Sequence, residues 1–107
     1  MSSSSSNNDF RRELLATAAV MVVEVVVRLA ILTCAIVIDW FRSPQNQMTR
    51  SDIAFTLKNE LQGEFAVVQG IFDTSNGIVK SSRQINASRV DGEMAQLHRD
   101  TNLVIYQ

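Results

Sequence analysis

The longest feature of the hydrophobic pattern is an apolar run from Leu14 to Ile38. It spans 25 residues, and its only polar members are Thr17, Glu24, Arg28 and Thr33. A helix of this length, with a rise of about 1.5 Å per residue, exceeds the roughly 30 Å hydrocarbon core of a bilayer. The run therefore predicts a single transmembrane helix, which we place at residues 14–41.

Two opposite charges lie near the middle of this predicted helix. Glu24 and Arg28 are four residues apart with the acid first, an arrangement that favours an ion pair on one helix face. Each charge costs roughly 2.5–3.5 kcal/mol at the bilayer centre, and together they cancel most of the roughly 4–8 kcal/mol that the apolar side chains supply. This face therefore predicts a protein neighbour, and the predicted docking residues are Glu24, Arg28, Thr17, Met21 and Ala35. Two alternatives stay open: a self-contained pair that tolerates the bilayer, and a pair that lines a water path in a homo-oligomer.

The residues on either side of the run are typical of membrane interfaces. The predicted interface anchors are Arg11, Arg12, Trp40, Phe41 and Arg42. Residues 1–13 are predicted to form a disordered serine-rich tail with an interfacial lead-in, and residues 42–50 a linker. The placement of the basic residues favours an integral membrane protein with a cytoplasmic N terminus.

The remainder, residues 51–107, has a weaker pattern that permits two interpretations. Spacings of four and three residues predict an amphipathic helix along Ile53, Leu57, Leu61, Phe65, Val68 and Phe72. The predicted fold class is accordingly mostly α: one transmembrane helix, a short linker and a small amphipathic helical C-terminal region. The Asn76-Gly77 pair predicts a break after this stretch, because it favours turns. The alternative is an α+β fold with a small β-meander over residues 65–106, with strands at 65–72, 78–87 and 103–106 and a turn at Asp91-Gly92.

Composition and candidate chemistry add little to this picture. The chain has 107 residues and a net charge of −1, and it has no basic face that would indicate nucleic-acid binding. Cys34 is the only cysteine, so it predicts no intrachain disulfide, and His98 has no second strong ligand at a metal-like spacing. We therefore predict no catalytic residue, no metal site and no cofactor.

The sequence predicts a function of contact rather than of chemistry. The first hypothesis is a non-catalytic, single-pass structural or assembly subunit of a larger membrane complex. Its partners would be other membrane-protein subunits or copies of itself, together with the lipid bilayer. The alternatives are a small self-associating pore of viral or phage type, and a membrane-tethered binding module whose activity lies in residues 51–107.

Overall fold

A computed structural model describes residues 3–21, 23–44, 46–61 and 64–106 of the chain. Within them, the helices are α1 (Ser3–Val20), α2 (Cys34–Phe41) and α3 (Gly92–Leu97). The strands are β1 (Val26–Leu32), β2 (Asp52–Leu61), β3 (Glu64–Asp73), β4 (Ile78–Val90) and β5 (Leu103–Tyr106). The fold is therefore a mixed α/β arrangement, and the prediction of a mostly α fold is wrong.

The five strands form one sheet with the order β1-β4-β3-β2-β5. Strands β2, β3 and β4 form an antiparallel meander, and β5 pairs antiparallel with β2. Strand β1 lies at the opposite edge and pairs in parallel with β4, with Val26 opposite Gln84 and Leu32 opposite Val90. The parallel pair is possible because α2 and the meander carry the chain from one strand to the other.

The sheet buries a separate apolar cluster on each face. On one face α2 and α3 pack over the centre of the sheet, and the fully or largely buried members are Leu32, Val37, Phe41, Ala54, Val67, Ile71, Ile85, Ala87 and Met94. On the other face Leu14 of α1 packs with Phe55, Phe72 and Leu103. Successive residues of β2 belong to opposite clusters, as the alternation of side chains along a strand requires. Helices therefore cover both faces of one sheet.

A tight turn joins β3 to β4 between Asp73 and Ile78. Gly77 has a φ of +68°, which a residue with a Cβ rarely adopts. Both oxygens of the Asp73 carboxylate accept hydrogen bonds from Ser75 and Asn76 and hold the turn closed. The turn lies where the Asn-Gly pair predicts it, and it fixes the register of the meander.

The predicted transmembrane helix at residues 14–41 does not form. That stretch is divided between the end of α1, strand β1 and helix α2. The segment around Val25–Val27 is rich in β-branched residues, whose restricted side chains favour strands. No helix in the described part of the chain is long and apolar enough to cross a membrane. The predictions of a single-pass membrane subunit, of membrane localisation and of a membrane pore or tether are therefore wrong.

The ends of the predicted domains also differ from the structure. Residues 1 and 2 lie outside the described residues, and residues 3–13 belong to α1 rather than to a tail. The predicted helix after residue 51 is instead the β2–β3 hairpin. The observed strands β3, β4 and β5 contain the ranges 65–72, 78–87 and 103–106 of the alternative meander. Its proposed turn at Asp91-Gly92 is the start of α3, because the Asp91 carboxylate accepts a hydrogen bond from the Met94 amide and caps that helix.

Candidate functional site

An open polar cleft lies beside the first half of β4, and we call it the Arg83 cleft. Its volume is about 540 Å³, and its lining residues are Glu24, Val25, Trp40, Asn46, Lys80, Ser81, Ser82 and Arg83. Clefts of this size are common as sites for small ligands and short peptides. The lining is mostly polar, so the cleft suits a ligand that is recognised through hydrogen bonds and charge.

The cleft exists because β4 is longer than the edge strand beside it. Strand β4 begins six residues before Gln84, the first residue that pairs with β1. The chain leading into β1, which includes Glu24 and Val25, forms one wall of the resulting gap. Helix α2 supplies Trp40 as the floor. The side chain of Asn46 donates to the carbonyl oxygen of Trp40 at 2.8 Å and fastens the loop after the helix.

Arg83 is held in a defined orientation in the lining of the cleft. Its Nε donates to Oε1 of Gln69 at 2.9 Å, and the Gln69 amide nitrogen in turn donates to the Val37 carbonyl oxygen at 2.6 Å. The guanidinium carbon lies 5.3 Å from the centre of the Trp40 ring, within the range of a cation–π contact. Because Gln69 is fully buried, its hydrogen bonds to Arg83 and to Val37 of α2 hold the guanidinium in place.

Most of the hydrogen-bonding capacity of Arg83 is unused within the described part of the chain. A guanidinium has five N–H donors, and only the one on Nε is bonded to a described residue. Burial lowers the pKa of Arg83 below its ordinary value, although the group stays charged at neutral pH. A half-buried cation with unused donors is a binding site for an anion, because an anion supplies both the missing acceptors and the missing charge.

The neighbouring donors extend this site along β4. The hydroxyl groups of Ser81 and Ser82 and the indole N–H of Trp40 have no hydrogen-bond partner among the described residues. Lys80 is different, since its Nζ donates to Oδ2 of Asp52 at 2.6 Å. Burial alone would raise the pKa of Asp52, but the bonds from Lys80 and from the Thr49 amide lower it below its ordinary value. Lys80 is thus neutralised, and Arg83 is the dominant positive charge of the cleft.

A second polar arrangement, the Thr56 chain, lies between α3 and the other end of the sheet. It comprises Thr56, His98 and Tyr106. The hydroxyl oxygen of Thr56 is 2.8 Å from Nε2 of His98 and 2.8 Å from the hydroxyl of Tyr106. Nδ1 of His98 is 3.2 Å from the Thr101 carbonyl oxygen, which can only accept, so the ring proton lies on Nδ1. Tyr106 therefore donates to Thr56, and Thr56 donates to His98.

The Thr56 chain borders an apolar cleft that contains the only cysteine. This cleft, of about 600 Å³, is lined by Cys34, Gly92, Glu93, Gln96, Leu97 and Tyr106. Burial, followed by the charges of Glu93 and Asp91, raises the pKa of the Cys34 thiol. A thiol with a raised pKa is mostly protonated at neutral pH and is a poor nucleophile. Burial also raises the pKa of Tyr106 and lowers that of His98. This arrangement stabilises neutral side chains rather than reactive ones.

The structure places the predicted docking residues on several different elements. Glu24 precedes β1 and Arg28 lies within it, and extended backbone separates positions four apart by roughly 13 Å. The predicted helical face with Glu24 and Arg28 side by side therefore does not exist. Thr17 lies in α1, Met21 lies just after it, and Ala35 is exposed in α2.

The predicted interface anchors are also distributed over the fold. Arg11 and Arg12 lie in α1, Phe41 is buried in the core, and Arg42 caps the end of α2. Trp40 is the one anchor that lines the Arg83 cleft, and Glu24 lines the same cleft. Of the residues predicted to be functional, the structure brings only these two together in the candidate site.

The prediction missed Arg83 and its neighbours on β4. One signal was present: Arg83, Ile85 and Ala87 alternate along the chain and therefore share a face of any strand that contains them. An arginine in phase with buried apolar residues points towards the core side of a sheet. Among the described residues, no group of histidine, cysteine and carboxylate side chains is arranged to hold a metal ion.

Comparison with protein-family models, with curated proteins and with solved structures found no match to the chain. The function must therefore be inferred from the geometry of the Arg83 cleft.

Proposed function

We propose that the chain is a non-catalytic recognition module that binds the carboxylate or phosphate group of a ligand in the Arg83 cleft. The observation that carries this proposal is the state of Arg83. Its guanidinium is half-buried on the Trp40 ring, anchored through Nε by Gln69, and without a described partner for its other four N–H groups. Burying a cation without an anion is unfavourable, and an incoming anion offsets that cost.

The geometry of the guanidinium supports an anion with two oxygens. Nε is occupied by Gln69, so the Nη1 and Nη2 groups are the ones available to the cleft. They form a planar fork that matches the oxygens of a carboxylate or a phosphate. The hydroxyl groups of Ser81 and Ser82 offer further donors beside it. These are groups that bind and orient a ligand.

The composition of the cleft supports binding rather than catalysis. A serine needs an adjacent base to become a nucleophile. The described lining residues of the Arg83 cleft include neither histidine nor cysteine. His98 is already engaged with Thr56 and Thr101 elsewhere in the fold.

Glu24 gives the cleft a way to discriminate among ligands. Its carboxylate is exposed on the wall of the Arg83 cleft. A ligand with two anionic groups would be repelled there strongly, whereas a single anionic group at Arg83 would be repelled only weakly because solvent screens Glu24. We therefore expect Glu24→Gln to strengthen the binding of a simple anion.

The proposal can be tested by fluorescence because Trp40 is the only tryptophan and forms the floor of the cleft. The purified full chain would be titrated with acetate and with inorganic phosphate at constant ionic strength. We expect saturable changes in Trp40 emission with dissociation constants on the order of millimolar, the range for one charge-assisted contact in an open site.

Variants decide whether Arg83 is responsible. Arg83→Gln should abolish the saturable signal, and Arg83→Lys should weaken it because lysine lacks the planar fork. Arg89→Gln is the matched control, since Arg89 is an exposed arginine on the same strand that does not line the cleft. If Arg83→Gln binds anions as well as the unaltered chain does, the proposal is wrong. Circular dichroism would establish that each variant keeps its fold.

A further inference from the structure

The edge of β4 inside the Arg83 cleft has backbone groups that no described strand satisfies. The Gln84 amide donates to the Val25 carbonyl oxygen at 2.8 Å, which is where pairing with the chain before β1 begins. Backbone groups alternate between the two sides of a strand, so the N–H and C=O of Ser82 point to the same side as those of Gln84. No described residue bonds them on that side. Among the residues that the structure describes, the gap is therefore an unpaired sheet edge as well as an anion site.

We propose that the ligand of the Arg83 cleft is an extended peptide that pairs with the backbone of Ser82 and places an acidic side chain on Arg83. This inference rests on the proposed function and names its class of ligand. An added strand would continue the edge that β1 begins, since β1 already pairs with the second half of β4. Recognition through an added strand combines backbone hydrogen bonds with pockets for alternate side chains.

The dimensions of the gap suit a short peptide. The part of β4 that lines the cleft runs from Lys80 to Arg83, and four residues of strand at about 3.3 Å each extend roughly 13 Å. About four extended residues of a peptide can pair along this length. Side chains of such a segment alternate, so every second one faces the layer of α2, where Trp40 and Arg83 lie.

The charges of the edge favour an acidic segment. Lysine side chains often protect sheet edges from pairing. Here Nζ of Lys80 lies 2.6 Å from Oδ2 of Asp52, so this ion pair draws the lysine away from the open edge. The cation left to meet a peptide is Arg83, which lies beside Ser82 in the chain and half-buried on the Trp40 ring. A glutamate or aspartate at one alternate position supplies the carboxylate, and the intervening positions can be neutral.

The experiment compares ligands that share a carboxylate but differ in backbone. The probe is a five-residue threonine peptide with a single glutamate at its central position, acetylated and amidated at its ends. It would be compared with a single blocked glutamate, with the same peptide carrying N-methylated amides, and with a threonine–glutamine version. Binding would be followed by Trp40 fluorescence and by the backbone amide resonance of Ser82.

We expect the threonine–glutamate peptide to bind at least tenfold more tightly than the blocked glutamate. N-methylation should remove that gain, and exchange of glutamate for glutamine should remove binding. The Ser82 amide resonance should shift and its hydrogen exchange should slow only with the unmethylated acidic peptide. Arg83→Gln should weaken binding at least tenfold, and Arg89→Gln should leave it unchanged.

Three results would overturn the inference, and one of them also overturns the proposed function. Equal affinity for the peptide and the blocked glutamate would leave an anion site without strand pairing, in which case the proposed function stands. If an all-threonine peptide with a free C-terminal carboxylate bound more tightly than the amidated acidic peptide, side-chain capture would be replaced by capture of a chain end. The absence of saturable, Arg83-dependent binding for every probe, including acetate and phosphate, would contradict both proposals.

Discussion

The hydroxyl oxygen of Thr56 lies 2.8 Å from Nε2 of His98, and both side chains are buried between the sheet and α3. Valine has nearly the shape of threonine but cannot donate, so Thr56→Val leaves Nε2 of His98 and the hydroxyl of Tyr106 without this partner. We expect a loss of about 1–3 kcal/mol in the free energy of unfolding, measured by urea denaturation. Tyr106→Phe is the matched control, because it keeps the Thr56–His98 bond and should cost only about 0.5–1.5 kcal/mol. Equal losses of unfolding free energy in the two variants would show that Thr56 does not connect His98 to Tyr106.

The burial of His98 predicts a dependence of stability on pH. Burial lowers the pKa of His98 below its ordinary value of 6.5. Below about pH 6.5 the unfolded chain therefore binds a proton at His98 more readily than the folded chain does. The free energy of unfolding must fall as the pH drops through this range. The slope is at most about 1.4 kcal/mol per pH unit for one group.

Urea denaturation at several pH values between 7 and 5 measures this slope. His98→Gln should flatten it, since glutamine can still accept from Thr56 but does not titrate. The lowered pKa of Asp52 acts in the same direction but only below about 3.8, outside this range. A slope that persists in His98→Gln would assign the effect to another group.

Gly70 and Gly92 provide a matched pair that tests the packing of the meander. A Cβ on Gly70 would lie 2.8 Å from a ring carbon of Phe55 and 3.1 Å from the Ser81 carbonyl oxygen, whereas a Cβ on Gly92 would meet nothing within 4 Å. We expect Gly70→Ala to destabilise the fold by about 1–3 kcal/mol. Gly92→Ala, at the start of α3, should be neutral or stabilising by up to about 1 kcal/mol. A neutral result for Gly70→Ala would contradict the observed register of β2 and β3.

Leu14 and Leu15 test whether α1 belongs to the folded core. The Leu14 side chain is fully buried against Phe55, Phe72 and Leu103, whereas that of Leu15 is 40% exposed. We expect Leu14→Ala to cost about 2–5 kcal/mol of unfolding free energy. Leu15→Ala, one position along the same helix, should cost less than about 1 kcal/mol. Similar small losses for both variants would mean that α1 does not pack on the sheet.

The apolar run at residues 14–38 could be located from the sequence but not assigned to the right structure. A strand made mostly of β-branched and other apolar residues has nearly the same hydropathy as part of a membrane helix, and β1 is apolar although Val26 and Ala30 are exposed. The two charged residues that interrupt the apolar run are the part of its pattern that argues against a membrane helix. Glu24 lies exposed before β1 and Arg28 lies on the exposed side of that strand, so neither charge is placed in an apolar environment.

The spacing of four residues was ambiguous for a simple geometrical reason. Four is close to one helical turn, and it is also two full repeats of a strand. Ile53 and Leu57 are four apart and share the Leu14 face of β2, and the helical interpretation used this same pair. Turn chemistry was more informative, since the Asn76-Gly77 pair marks the observed β3–β4 turn and supports the meander.

The Arg83 cleft had no contiguous signal in the sequence. Its walls come from residues 24–25, 40, 46 and 80–83, which only the sheet topology brings together. The sequence predicts roles for Trp40 and Glu24 only as parts of a membrane helix, as an interface anchor and a docking residue. Their proximity across the cleft depends on the parallel pairing of β1 with β4, and local patterns do not reveal a pairing between distant segments.

That parallel pairing also has a consequence for how the protein is made. The paired residues of β1 each lie opposite a residue 58 positions later, from Val26 with Gln84 to Leu32 with Val90. At a synthesis rate of about 5–20 residues per second, the apolar segment waits several seconds before its partner exists. During that interval the nascent chain exposes valine- and isoleucine-rich sequence with strong β propensity, the kind of segment that chaperones shield from aggregation. We therefore expect the meander to fold first and β1 to dock last, so that the edge of β4 from Gln84 to Val90 is covered only at the end of folding.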